Sequence, residues 1–335
     1  MGRLLAAAAA GGSLLKSLAR AAPVLLRDPP DEGIAWVCPM HPAYTAAAAG
    51  TCPICGMQLI QTRPYDARDY QLAFRTEPAN VRPGEKVTLF FTFLRPGTAE
   101  VVKDFEIVHT KPFHLFVISQ DMEFFEHIHP TMRPDGTWTI DTTVPKPGYY
   151  EVLCDVMPSG GSGQFLSAPF VTADYNGDLA TDSAHLDPDK VLKKSAADIT
   201  VTATFDPPQP TACQYVHLNF YLTDTATGRP ITDLQTYLGA FGHMLLMSED
   251  LRCYVHSHPN NFVIQSEDSA NAPEYIIPPD ADLDAIRGGP KVMFDALMPK
   301  PGVFRAWAQF QRNNQVRTIA LTFTVAPGPA EPVLS

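Results

Sequence analysis

Residues 113–130 read FHLFVISQDMEFFEHIHP, and residues 242–259 read GHMLLMSEDLRCYVHSHP. Both stretches have the form His-x12-His-x-His-Pro, with an acidic turn at the same offset after the first histidine. Downstream, VPKPGYYEVLCDV (144–156) matches MPKPGVFRAWAQF (298–310), so two shared blocks occur twice in the same order. The chain therefore contains a duplicated domain, and its second copy carries an insertion between these blocks.

Each copy is built of short segments that are typical of β-strands. Segments such as KVTLFFTFL, TWTIDTTV and YYEVLCDV alternate in polarity and are rich in β-branched and aromatic residues. The 32 prolines of the chain favour many short strands over long helices, because proline interrupts helices and central strands alike. The pattern predicts an all-β fold, in which a small metal-stabilised knot precedes two tandem antiparallel β-sandwiches of immunoglobulin or cupredoxin type.

Composition divides the chain into segments and indicates where it acts. A basic residue, Arg3, followed by an apolar run from Leu4 to Leu15, resembles a secretory signal peptide and predicts a periplasmic or secreted protein. No later segment reaches the ~18 apolar residues of a membrane span. We predict the following organisation: leader 1–30, metal-binding segment 34–60, first sandwich 70–173, linker 174–197, second sandwich 198–327 and tail 328–335.

The charge of the chain argues against one class of partner. Its formal net charge is −11, and an acidic surface repels phosphate backbones. Nucleic-acid binding is therefore excluded from the expected functions.

The stretch WVCPMHPAYTAAAAGTCPICGMQLI (36–60) has the spacing of a metal site. Its ligand skeleton is Cys38-x2-His41-x10-Cys52-x2-Cys55, in which each two-residue gap lets one tight turn point two side chains at a single ion. Three thiolates and one imidazole suit Zn²⁺, whereas the thioethers of Met40 and Met57 favour Cu(I). A permanently bound structural zinc, or a disulfide that leaves one cysteine unpaired, are the alternatives.

The same stretch resembles the short heavy-metal-binding domain at the front of some bacterial copper-efflux adaptors and metal-pumping ATPases. The matching residues are the runs Cys38-Pro39-Met40-His41-Pro42 and Cys52-Pro53-Ile54-Cys55-Gly56-Met57. The whole of 34–326 also looks like bacterial secreted proteins that join this segment to sandwich domains with the His-x12-His-x-His-Pro block. These resemblances imply copper or zinc cargo and a metal-associated periplasmic role.

The histidines of the repeated block form a second candidate metal site. A two-residue turn at Gln120-Asp121 and its counterpart at Glu249-Asp250 would place the first histidine of each block opposite the second, with Cβ atoms about 5 Å apart. The third histidine lies two residues on and therefore on the same face. Each repeat thus presents three imidazoles to one face: His114, His127 and His129 in the first, and His243, His256 and His258 in the second. The alternative is that these histidines are core residues bonded to backbone groups.

The remaining cysteines and histidines give weaker signals. Cys154 follows a Gly-Tyr-Tyr strand but no histidine follows it, so a buried structural thiol is the preferred interpretation over a blue-copper ligand. Cys213 and Cys253 are either thiols or a disulfide. A further group of histidines has no counterpart in the other repeat and is interpreted as incidental: His109, His185 and His217.

These observations predict an exported, non-catalytic protein that binds a soft metal, copper or zinc, for buffering, delivery or resistance. No nucleophile elbow, phosphate loop or dinucleotide fingerprint is present in the sequence. The expected partners are the metal ion and a metal-efflux component. The alternatives are a structural module with permanently bound zinc, and a copper-dependent enzyme. Imidazole ligation predicts that binding weakens as the pH falls through ~6.5.

Overall fold

The computed structural model describes residues 35–39, 44–53, 56–62, 70–178, 181–259, 262–264, 274–276 and 282–328. Within these ranges all regular secondary structure consists of β-strands, and the paired strands are antiparallel, which confirms the predicted all-β fold. Over the same residues, no helix has the length and hydropathy that a membrane crossing requires.

Three short strands form the knot, in the sheet order β2-β1-β3: β1 Ala35–Val37, β2 Thr45–Ala46 and β3 Ile60–Thr62. The backbone N–H of Gly56 donates to the carbonyl of Cys52 at 2.8 Å, and Gly56 adopts a φ of 72°, which this tight turn requires. Cys38 and Cys52 are buried together with Leu59 in a small apolar cluster.

The first sandwich consists of two four-stranded sheets, with orders β4-β5-β9-β8 and β11-β10-β6-β7. The strands are β4 Gln71–Glu77, β5 Lys86–Leu94, β6 Phe113–Ser119, β7 Phe125–Ile128, β8 Thr131–Met132, β9 Trp138–Thr143, β10 Tyr149–Val156 and β11 Gln164–Val171. Between the two sheets, the ring of Phe113 packs edge-to-face on those of Phe91 and Phe93, with a centroid distance of 5.3 Å to each. This aromatic core fixes the separation of the two layers.

The second sandwich repeats this plan. One sheet has the order β12-β13-β14-β21, and the other has the order β17-β16-β22-β15-β20 with β23 also paired to β22. The strands of these sheets are β12 Lys193–Ala196, β13 Ile199–Asp206, β14 Tyr215–Asp224, β15 Leu234–Gln235, β16 His243–Ser248, β17 Tyr254–Ser257, β20 Arg287–Gly288, β21 Lys291–Leu297, β22 Gly302–Arg312 and β23 Gln315–Val325. Between β17 and β20, β18 Phe262–Ile264 and β19 Glu274–Ile276 pair with each other in a separate two-stranded sheet. The order β11-β10-β6-β7 of the first copy thus corresponds to β23-β22-β16-β17 of the second.

The segment 174–197 contributes to both sandwiches. Its last residues form β12, which pairs with β13 and extends the second sandwich. Ala184 and Leu186 are buried against side chains of both repeats.

Strands β6 and β16 are buried on both faces, unlike a strand that borders solvent. Leu115 and Val117 of β6 point into the core of their own sandwich. Phe116 and Ile118, on the opposite face, belong to a separate apolar cluster that includes Leu245 of β16. The two sandwiches therefore pack through the sheets that carry the repeated histidine blocks.

Aromatic stacking joins the two sandwiches at this junction. The rings of Phe125 and Trp307 are nearly parallel, at 7°, with centroids 4.8 Å apart. Burial of these surfaces stabilises the junction through the hydrophobic effect.

The predicted two-residue hairpin turns are wrong by two positions of register. The strands pair Phe116 with His127 and Leu245 with His256. Two residues further along each hairpin, this register places the first histidine of the block opposite the third, and not opposite the second. The loops are longer because Asp121 and its equivalent Asp250 accept a hydrogen bond from the preceding serine hydroxyl, at 2.5 and 2.7 Å. A shift of two residues conserves the face on which each side chain lies, and the same-face prediction therefore holds.

Candidate metal centre

The two histidine triplets lie in one place, at the junction of the sandwiches. They form, together with one more histidine, a group that we call the histidine cluster: His109, His114, His127, His129, His243, His256 and His258. The prediction of a separate face in each repeat is therefore corrected, because the face that carries one triplet is covered by the other repeat. Ring centroids of His114 and His256, from different repeats, are 5.2 Å apart.

Outer hydrogen bonds orient two rings of the first repeat. Nε2 of His114 lies 2.9 Å from the carbonyl oxygen of Val108, and Nδ1 of His127 lies 2.8 Å from Oε1 of Gln309. Both oxygens accept, so these ring nitrogens carry the hydrogens. The remaining nitrogens, Nδ1 of His114 and Nε2 of His127, then present lone pairs to each other at 3.1 Å. Two nitrogens on one tetrahedral ion are roughly 3.4 Å apart, given bonds of about 2.0–2.1 Å.

A carboxylate orients one ring of the second repeat. Nδ1 of His256 donates to Oδ2 of Asp155 at 2.6 Å, and no hydrogen-bond partner for Nε2 lies among the described residues. Histidines that bind metals usually donate their second N–H to a carboxylate or carbonyl in this manner.

The orienting side chains are exchanged between the repeats. Asp155 lies beside His114 on the neighbouring strand, yet it binds His256 of the other sandwich. Gln309, at the equivalent position, lies beside His243 but binds His127 of the other sandwich. The junction thus has the self-complementary contacts of a two-fold interface.

Burial keeps most of the cluster neutral. Together with repulsion from neighbouring imidazoles, it lowers the pKa of His109 and His129 to about 3 and that of His114 to about 4. Desolvation by burial, followed by repulsion from other histidines, also lowers the pKa well below 6.5 in His127, His243 and His258. Neutral rings keep a lone pair available, so the protonation that competes with metal is moved below the pH of ~6.5 expected from the sequence.

The donor set fits copper or zinc. Three groups of three histidines have ligand atoms within 4.8 Å of one another: His109, His243 and His258; His114, His127 and His129; His114, His243 and His256. Ring movements of about 1 Å would bring three such nitrogens to a common ion. Imidazole nitrogens suit zinc and copper, whereas calcium and magnesium require oxygen ligands.

The structure places the other candidate residues less completely. Cys38 and Cys52 of the knot are buried near Met57, but His41, Met40 and Cys55 lie outside the described residues. Cys154 is buried in the core of the first sandwich, as expected for a structural thiol. Cys213 is exposed and Cys253 is partly buried, and neither forms a disulfide.

Sequence reasoning missed Asp155 and Gln309 of the centre, and its interpretation of His109 as incidental is corrected. His109 has no equivalent in the second repeat, and its ring stacks on that of His258 with centroids 3.6 Å apart. A signal for the other two was present, since a polar residue occupies the same position of the matching strands β10 and β22.

Replacement of Asp155 by Asn is expected to weaken metal binding by about 10–100-fold, because the ring of His256 loses its charged acceptor. Isothermal titration with Zn²⁺ measures this affinity. Asp141→Asn, which removes an exposed carboxylate that pairs with Lys86, is the matched control and should bind as the wild type does. Equal affinity in Asp155→Asn would show that Asp155 does not orient a ligand.

Two family models match the chain. A domain described as a domain of unknown function, DUF8832, matches residues 66–173 and 194–327, and the heavy metal binding domain matches residues 35–62. No curated protein matches the chain.

The solved structures that match the chain include two adhesins and a macroglobulin. The Escherichia coli adhesin FdeC is 12% identical, over 77% of this chain and 64% of its own, with a TM-score of 0.23. The Yersinia pseudotuberculosis adhesin InvE is 12% identical, over 76% and 60%, with a TM-score of 0.19. Escherichia coli alpha-2-macroglobulin activated by porcine elastase is 14% identical, over 78% and 20%, with a TM-score of 0.23. The chain thus spans less than two thirds of the length of each.

Proposed function

We propose that this chain, which belongs to the DUF8832 family and also carries a heavy metal binding domain, binds copper or zinc ions as cargo. In this proposal the protein is exported, and it buffers or delivers the ion without catalysing a reaction.

The observation that carries the proposal is the histidine cluster. Burying several imidazoles costs free energy unless their nitrogens find partners, because each unpaired buried polar atom carries a desolvation penalty of roughly 1–3 kcal/mol. Seven buried ring nitrogens of the cluster nevertheless have no hydrogen-bond partner among the residues that the structure describes. They are Nε2 of His109, His129 and His256, and both nitrogens of His243 and His258. A bound cation would satisfy such nitrogens and offset this cost.

A cleft offers a route for ions to the buried cluster. It has a volume of about 240 Å³, and its walls include His256 and His258 of the cluster and the thioether-bearing Met157. Pro39, which directly follows Cys38 of the knot, lines the same cleft. The knot is thus well located to exchange ions with the cluster, which supports a role in buffering or delivery.

Further features support the remaining parts of the proposal. The apolar run from Leu4 to Leu15 favours export, and the resemblance of the knot to segments of efflux proteins favours a metal-efflux component as the partner. Glu126, the residue before His127, is not part of the cluster. Its carboxylate lies on the opposite face of β7, where it accepts a hydrogen bond from Thr142. A general base next to a bound ion is therefore not provided by this residue, which favours binding over catalysis.

Metal content tests the proposal. The full-length chain is equilibrated with Zn²⁺ or Cu²⁺, freed of loose ions and measured by inductively coupled plasma mass spectrometry. We expect His243→Ala/His256→Ala to lose at least one equivalent, because it removes ligands from all but one of the candidate groups. The double variant Cys38→Ser/Cys52→Ser should retain the ions of the cluster.

His185→Ala serves as the control, because it removes an exposed imidazole outside the cluster. Circular dichroism verifies that each variant is folded. Metal that disappears only with the cysteine substitutions would contradict the proposal and favour a structural zinc in the knot.

A further inference from the structure

His109 lies in a strained turn at the junction. Val108 and Lys111 exchange backbone hydrogen bonds of 3.0 and 3.1 Å, and the two residues between them, His109 and Thr110, have φ values of 46° and 65°. Such two-residue turns normally hold Asn and Gly, since β-branched and bulky side chains are unfavourable at positive φ. Strain of this kind is often retained at functional sites.

The turn directs the His109 ring into the second repeat. The His109 ring is hydrogen-bonded to the backbone of Leu238. Its centroid lies 3.6 Å from that of His258, on which it stacks, and 5.4 Å from that of His243. Its Nε2 and all four ring nitrogens of His243 and His258 have no hydrogen-bond partner among the described residues. The ligand atoms of these three residues lie within 4.8 Å of one another.

A second group of three histidines shares no member with this one. His114, His127 and His129 also have ligand atoms within 4.8 Å, and the first two converge at 3.1 Å. The groups are adjacent, since the ring centroid of His243 is 5.8 Å from that of His114 and 5.6 Å from that of His127. Six of the seven rings are therefore divided into two complete sets of three ligands.

Charge decides which ions can occupy both groups together. Asp155 provides the carboxylate that hydrogen-bonds a ring of the cluster, and the neutral imidazoles contribute no negative charge. The repulsion between two neighbouring ions scales with the product of their charges, so it is four times larger for two divalent than for two monovalent ions. The junction is thus suited to two monovalent ions, or to one divalent ion.

We infer that His109, His243 and His258 form a second cargo site, separate from that of His114, His127 and His129, and that together the two sites hold two monovalent soft cations such as Cu(I). This inference rests on the proposed function. Each site uses only imidazole ligands, which copper accepts.

Native mass spectrometry of the full chain with Ag⁺, a redox-stable probe for Cu(I), tests the inference. His109→Asn removes the ligand but keeps the turn, because Asn tolerates positive φ. Thr110→Gly relaxes the same turn and keeps the ligand, so it is the matched control. At saturation, we expect His109→Asn to bind one Ag⁺ fewer than both the wild type and Thr110→Gly. Zn²⁺ should bind equally to all three proteins, because the junction suits one divalent ion and the group of His114, His243 and His256 does not include His109.

Nitrogen NMR of labelled histidines assigns the difference to a site. In His109→Asn, Ag⁺ should shift the ring signals of His114 and His129 as in the wild type, whereas those of His243 and His258 should no longer respond. An equal Ag⁺ count in wild type and His109→Asn would overturn the second site. If no ring of the cluster responds to any metal in the wild type, the proposed function itself fails.

Discussion

Lowering the pH from 7 to 5 is expected to remove several kcal/mol from the free energy of unfolding of the metal-free protein. The pKa of His114 is lowered to about 4 by burial, whereas an unfolded histidine has a pKa of about 6.5. Between these pH values the unfolded chain binds a proton that the folded chain does not. The contribution of His114 to the free energy of unfolding is therefore fully present above pH 6.5 and is lost as the pH decreases toward 4. For this single residue the loss at pH 5 is about 2 kcal/mol.

Other histidines of the cluster add to this loss. The pKa values of His109 and His129 are lowered to about 3, so their contributions to the loss have the same sign as that of His114. Urea unfolding at pH 7, 6 and 5 in the presence of a chelator, followed by circular dichroism, measures the effect. His129→Gln, which removes one titrating ring, should show a shallower dependence on pH. Equal stability at pH 7 and pH 5 would mean that the cluster is solvated or charged when folded.

Replacement of Trp307 by Ala is expected to destabilise the protein by about 3–5 kcal/mol and to reduce metal binding by the cluster as well. Trp307 is 4% exposed and stacks on Phe125 of the other sandwich, so its loss leaves a cavity at the junction. The Trp307 side chain is not itself a metal ligand. Binding should nevertheless weaken, because each candidate group that includes His243 takes rings from both sandwiches and depends on their docking.

Two other variants separate docking from general stability. Trp307→Phe retains an aromatic ring against Phe125 and should keep most of the bound metal. Phe304→Ala opens a cavity of similar kind inside the core of the second sandwich, away from the junction. At a temperature where all variants are folded, it should bind metal as the wild type does. Full metal content in Trp307→Ala would show that the cluster does not require the stacked junction.

The duplication made much of this protein predictable. The repeated blocks, the short strands and the period of two along them are local properties, and they indicated two antiparallel sandwiches with three histidines on one face of each. The spacing of cysteines around a knot is equally local, and the heavy metal binding domain at 35–62 agrees with it. The register of the hairpins was less accessible, because it depends on how Asp121 and Asp250 hydrogen-bond within their loops.

The sequence by itself thus determined the strands, the repeat and the face on which each triplet lies, because side-chain direction along a strand alternates with a period of two. Only the tertiary structure decided what covers that face. The two sandwiches bury their histidine faces against each other, so two triplets that are far apart in the chain become one cluster. The same packing brings in His109 from a loop, and it exchanges Asp155 and Gln309 between the repeats. Contacts of this kind arise from the docking of distant surfaces, which no local pattern encodes.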